Sequence, residues 1–146
     1  MTHNNSLEQF QQSIGKEFTQ SPCPFMQWLK PIVLVAEKGK ISFQYTVRKE
    51  WTNPMGTLHG GVIAAIIDDT IGATMFSFNE DCYFTTINNV IDYLSVANEH
   101  DIIIAETIVI KKGKQMVNVQ CEIWKADKSR LIAKGYSNLL RTEIKK

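Results

Sequence analysis

Residues 53–78, NPMGTLHGGVIAAIIDDTIGATMFSF, limit what this chain can fold into more than any other stretch. The segment opens as a loop with Asn53, Pro54 and Gly56, passes through His59-Gly60-Gly61 and becomes an apolar run. From Val62 to Met75 its only polar side chains are those of Asp68, Asp69, Thr70 and Thr74. A helix this apolar on all sides must be largely enclosed by other structure. A carboxylate in the middle of such a helix is costly to desolvate unless it is paired or put to use. The paired glycines leave bare N–H groups at the helix start, where the dipole attracts negative charge. An anion-stabilising corner and a buried acid are thus expected about nine residues apart, roughly 13 Å along one helix.

The sequence on either side reads as the enclosure. Residues 32–36 are rich in β-formers, Lys38-Gly39 makes a turn, and Ile41, Phe43, Tyr45 and Val47 alternate with polar residues, which predicts a hairpin. The helix occupies roughly residues 59–78. Four strands follow it, over 83–96, 101–110, 116–125 and 131–140, and the short turns between them predict an antiparallel meander. Ahead of the hairpin, Leu7, Phe10, Ile14 and Phe18 recur at helical steps, and Pro22 and Pro24 break that pattern. The cluster Phe25, Met26, Trp28 and Leu29 then packs over the core or lines one end of a pocket. The expected fold class is α+β: a long central helix wrapped by a curved antiparallel sheet of about six strands, with a short N-terminal helix. One domain would span 1–146, with 1–28 as helix and cover. Such a sheet leaves an edge strand and a face to cover, which predicts an oligomer.

Composition excludes several classes of function. With 44% hydrophobic and 21% charged residues the chain is globular rather than disordered. Its 16 basic and 15 acidic residues supply no concentrated basic surface for nucleic acid. Cys23, Cys82 and Cys121 are odd in number and lack metal or disulfide spacing, and His3, His59 and His100 lie far apart, so no metal site is expected. There is no apolar signal region at the start and no uncharged run of about 20 residues, so the chain reads as cytoplasmic, with no membrane span.

Helical spacing puts Gly61, Ala64, Ala65, Ile71, Gly72 and Met75 on the face of Asp68, while Asp69 points about 100° away toward Val62, Ile66 and Phe76. Small neighbours let a ligand come close, though a buried acid satisfied by backbone N–H groups or a tyrosine is the structural alternative. Bare amides at Gly60 or Gly61 can polarise a carbonyl, and a carboxylate opposite can attack it or activate water.

In their joint order Asn53, Gly56, His59-Gly60-Gly61 and Asp68 resemble the signature of the hotdog-fold acyl-CoA thioesterases. The branch is that of the phenylacetic acid degradation thioesterase and the mammalian thioesterase superfamily member 2. Thr85-Thr86 with Tyr93-Leu94-Ser95, Lys112-Gly113-Lys114, and the stretch from Leu131 to Gly135 extend the likeness, which covers roughly residues 30–140. The resemblance implies a hotdog fold that hydrolyses an acyl-CoA to free acid and coenzyme A without a cofactor. It implies Asp68 as nucleophile or general base and the Gly60 amide as the group that polarises the carbonyl. Asn53 would position water or thioester, His59 would support that loop, and Thr86 would help hold the water. Gly61, Thr85 and the turn Lys112, Gly113, Lys114 would meet the substrate, the lysines facing the coenzyme A phosphates. It further implies a homodimer or homotetramer, with the site at the dimer interface and Gly60 and Asp68 drawn from different subunits. The chain departs from the usual pattern at Asp69, a second acid, and at Val96, where proline is frequent. The alternative function is a non-catalytic module that binds acyl-CoA or acyl-carrier protein.

Overall fold

A computed structural model describes residues 5–145 of the chain. Its central element is a helix over Gly60–Phe76, which we call α3 after two short N-terminal helices, α1 (Ser6–Gln12) and α2 (Pro24–Leu29). Six strands surround it: β1 (Ile32–Glu37), β2 (Lys40–Thr46), β3 (Cys82–Tyr93), β4 (Ile102–Lys112), β5 (Met116–Lys125) and β6 (Leu131–Glu143). All neighbouring strands are antiparallel. No helix among the described residues is long and apolar enough to cross a membrane.

The sheet order is β1-β2-β4-β5-β6-β3. Four strands after the helix suggest a simple meander, but only β4, β5 and β6 form one. β3 swings to the far edge beside β6, and β4 pairs with β2 instead. This arrangement draws the hairpin and the later strands into one sheet on one side of α3, so that a single sheet can bury it. The two edges differ. β1 is flanked by the stretch after α1, through bridges Ile14↔Val33 and Glu17↔Ile32, whereas β3 has no partner on its outer side among the described residues.

The N-terminal pattern folds differently from its periodicity. α1 stops at Gln12, and Gly15 adopts φ +83°, a conformation that ends the helix and that glycine takes without strain. Phe18 is still fully buried, its ring 4.5 Å from that of Phe10, because the chain after Gly15 runs extended along β1. Residues 24–29 form a helix the sequence reading missed. Pro24 breaks what precedes it but sits at the first turn of α2, where its fixed φ favours helix and its missing N–H is not needed.

Ile63, Ile66, Ile67 and Ile71 of α3 are buried among Phe43, Ile103, Val119 and Ile123 of the sheet. The helix threonines are satisfied locally: Thr70 and Thr74 hydroxyls donate to the carbonyls of Ile66 and Thr70 at 2.7 and 2.8 Å. Gly135 is where β6 comes closest, since a Cβ there would lie 2.9 Å from Ile67 Cγ2. A branch methyl this near cannot swing aside cheaply. Gly135→Ala is therefore expected to lower stability by about 1–3 kcal/mol, read as a fall in denaturant midpoint at unchanged m-value.

Candidate functional site

The loop before α3 is built by Asn53. Its Oδ1 accepts from the N–H groups of Met55 (3.0 Å) and Thr57 (3.2 Å), and its Nδ2 donates to Thr57 Oγ1 at 2.8 Å. Gly56, at φ +77°, closes the turn by donating to the Asn53 carbonyl at 2.9 Å. Both ends of the Asn53 amide are thus engaged in shaping the loop.

His59 is the N-cap of α3, and its Nδ1 accepts from the Gly61 N–H at 2.8 Å. That bond fixes the tautomer with the proton on Nε2. It also discriminates between the two glycines. The Gly61 amide is taken, and the Gly60 N–H has no acceptor among the described residues at the positive end of the helix. The ring of Tyr93 lies against Gly60, where a Cβ would be 3.3 Å from Cε1. Gly60 and Tyr93 line an open groove with Asn53, Leu94 and Val96.

Asp68 lies over β3, not at this end. Its Oδ1 accepts from Thr86 Oγ1 and from Asn89 Nδ2, both at 3.1 Å. Thr86, which the resemblance casts as a holder of the water, donates to the acid itself. Asn89 was not foreseen, since neither it nor Ser137, whose hydroxyl donates to Asn89 Oδ1, belongs to any motif. Thr85 points the other way, to the Thr142 hydroxyl at 3.0 Å, as the alternation of a strand requires. Asp68 is exposed on the chain taken alone, not buried as its place in an apolar helix suggested.

The more enclosed acid is its neighbour, which is partly buried. Asp69 Oδ2 is shut from solvent and has no hydrogen-bond partner among the described residues. Burial, and then the charge of Asp68, push the Asp69 carboxyl up to about 7. Both acids border a cavity of about 320 Å³ between α3 and the N-terminal cover, walled by Phe10, Cys23, Met26, Gly72 and Phe76. A Cβ at Gly72 would meet nothing, so the helix leaves room there. The basic turn is elsewhere. Lys112 Nζ lies 2.5 Å from Glu80 Oε1 and 5.0 Å from the Phe78 ring, so its charge is matched inside the fold. Lys111, Gly113 and Lys114 border a surface groove with Met116 and Asn138 that shares no lining residue with the two sites above.

The Asp69 shift carries a stability consequence. A carboxyl whose pKa rises on folding favours the native state below its unfolded value, near 4, and this contribution is lost as pH climbs through about 7. Asp69→Asn keeps the size and removes the titration. Its thermal midpoint is expected to match or fall below wild type at pH 4 and to exceed it at pH 8. The gain should reach a few kcal/mol, at about 1.4 kcal/mol per pH unit over which the two states differ.

Residues 55–132 match the model of the thioesterase superfamily. Human acyl-coenzyme A thioesterase 13 is 30% identical over 112 residues, covering 76% of this chain and 80% of its own. The Escherichia coli PaaI protein from the phenylacetic acid degradation operon superposes with a TM-score of 0.81 at 17% identity, over 98% of this chain and 100% of its own. A Streptococcus pneumoniae thioesterase protein solved with coenzyme A does so with a TM-score of 0.72 at 18% identity, over 78% and 87%. The fold is that of the hotdog proteins, and the chain belongs to the thioesterase superfamily.

Proposed function

We propose that the protein is an acyl-CoA thioesterase whose site is shared between two copies of the chain. The observation that carries this reading is the pairing of one unengaged amide, Gly60, with one hydrogen-bonded carboxylate, Asp68, on the same helix. Eight residues separate them, about 12 Å along the axis, too far to act on one carbonyl. The unpartnered edge of β3 supplies the remedy. Ile87, Val90 and Tyr93 are each more than half exposed along a twelve-residue strand, a surface that invites a second strand. Two copies joined antiparallel through β3 bring the Gly60 end of each helix toward the Asp68 of the other.

In that arrangement the thioester oxygen accepts from the Gly60 N–H, which holds the negative charge that develops on it. Asp68 of the facing copy either attacks the carbonyl carbon, forming an Asp68 acyl anhydride that water then hydrolyses to the free acid, or takes the proton of a water whose oxygen forms the new C–O bond. The C–S bond breaks, and the coenzyme A thiolate leaves and collects a proton. The cavity walled by Phe10, Met26 and Phe76 opens beside Asp68 and suits an apolar acyl group. The match to a relative named for acyl-coenzyme A supports that substrate class.

Turnover of a panel of short, medium, long and aromatic acyl-CoA thioesters, followed with a thiol-detecting dye, tests the activity. Release of thiol from none of them would sink it. Asp68→Asn keeps the shape, and its kcat is expected to fall about 10²–10⁴-fold.

The shared site has its own test. Proline is tolerated at the first helical position and carries no N–H, so Gly60→Pro removes the donor with the helix kept. Homodimers of either variant should be inactive. Co-expressed Gly60→Pro and Asp68→Asn chains should form heterodimers with one intact site and recover about half the wild-type activity per heterodimer. Mixed dimers that stay as inactive as the parents would overturn the shared site.

A further inference from the structure

β3 and β6 pair in steady register except at Ile87, where the partners step from Thr86↔Leu139 to Asn88↔Asn138. Ile87 is the extra residue of a β-bulge, a device that re-aims the side chains beyond it. In an unbroken strand residues two apart share a face, so Thr86 would be followed toward α3 by Asn88. The bulge reverses the phase. Asn88 instead accepts on the outer face from the N–H and Nδ2 of Asn138, at 3.1 and 3.2 Å. Asn89 turns inward and faces Ser137, its direct partner on β6 and a fully buried residue.

The bonds that follow dictate an orientation. A carboxylate only accepts, so the Asn89 amide must offer Nδ2 to Asp68, which leaves its Oδ1 for the Ser137 hydroxyl. Thr86 donates to the same Asp68 oxygen, Oδ1, and Oδ2 receives no donor from the described residues. The terminal torsion of an aspartate is broad, and two donors on one oxygen narrow it to a single pose. We propose that Asn89, locked by Ser137, is a positioning residue that fixes the Asp68 carboxylate with Oδ2 as its reacting oxygen. The inference rests on the thioesterase reading and adds to it the oxygen that reacts and the residues that turn it.

The test is steady-state kinetics of Asn89→Ala, Ser137→Ala, Ser137→Thr and the Asn89→Ala/Ser137→Ala pair on the best acyl-CoA of the panel. Asn89→Ala is expected to lower kcat about ten- to a hundredfold with KM changed less than about threefold, the usual cost of losing an outer partner of a reacting group. Ser137→Ala should cost less, and Ser137→Thr, which keeps the hydroxyl, should recover most of the loss. The double variant should be no slower than Asn89→Ala alone, because Ser137 acts only through Asn89. A kcat for Asn89→Ala within twofold of wild type, or losses that multiply in the pair, would overturn the proposal.

A second measurement does not depend on turnover. In ¹⁵N-labelled protein the side-chain NH₂ signals of Asn89 should move in both Asp68→Ala and Ser137→Ala. Signals that stay in place in either variant would refute the bridge. If those signals move and no thioester is hydrolysed, the positioning network stands and the thioesterase reading is what has failed.

Discussion

The burial of α3 against one face of the sheet is the interaction on which the rest of the structure depends. Ile66, Ile67 and Ile71 are fully enclosed, each such side chain contributing about 1.5–3 kcal/mol relative to exposure. Gly135 lets β6 approach until Ile67 meets the strand itself. Once those isoleucines are seated, the angular position of every other helix residue follows at 100° per residue. Asp68 is turned out over β3, where Thr86 and Asn89 reach it. Asp69 is turned under α1 and α2, against Phe10 and Met26. The same seating presents the Gly60 end of the helix to Tyr93 at the finish of β3.

β3 therefore touches both halves of the candidate site and is also the strand with no neighbour on its outer side. These roles are connected. The bulge at Ile87 brings Asn89 to Asp68, so the strand that carries the free edge also shapes the surroundings of the acid. The opposite edge, β1, is flanked by the stretch from Ile14 to Glu17. One end of the sheet is flanked by the chain's own N-terminal segment, and the other leaves the apolar side chains of Ile87, Val90 and Tyr93 exposed.

Much of this was legible in the sequence, and the parts that were not share a cause. The period-two pattern from Ile41 to Val47 and from Val117 to Ile123 specified strands that the structure contains. The apolar run after Gly60-Gly61 specified α3 to within two residues at either end. Local pattern does not determine which strands pair, so the placement of β3 beside β6, with β4 against β2, could not be read. Nor does pattern reveal a bulge: Thr86 and Asn88 look like face-mates until the register with β6 is known. Asn89 and Ser137 lie 48 residues apart, and only the sheet brings them together. The capping of Gly61 by His59 is a local feature, and its signal was present as a polar ring one residue before a helix start.

In the pair Asp68-Asp69, the acid that is more enclosed and the acid that receives side-chain donors are not the same. A helix of this composition suggests that its reactive carboxylate is the hidden one. Instead the hidden one, Asp69, is opposed by burial and by its neighbour's charge, and nothing among the described residues hydrogen-bonds its Oδ2. Asp68 is open on the single chain and receives two donors aimed at one oxygen, an arrangement suited to a negative charge. On the thioesterase reading, the acid with donors is the one that acts on the carbonyl. The acid without them puts a polar oxygen beside a largely apolar cavity that Asp68 also borders, and it bears on how stable the fold is as pH rises. The sequence places the two in adjacent positions, and the seating of α3 gives them opposite surroundings.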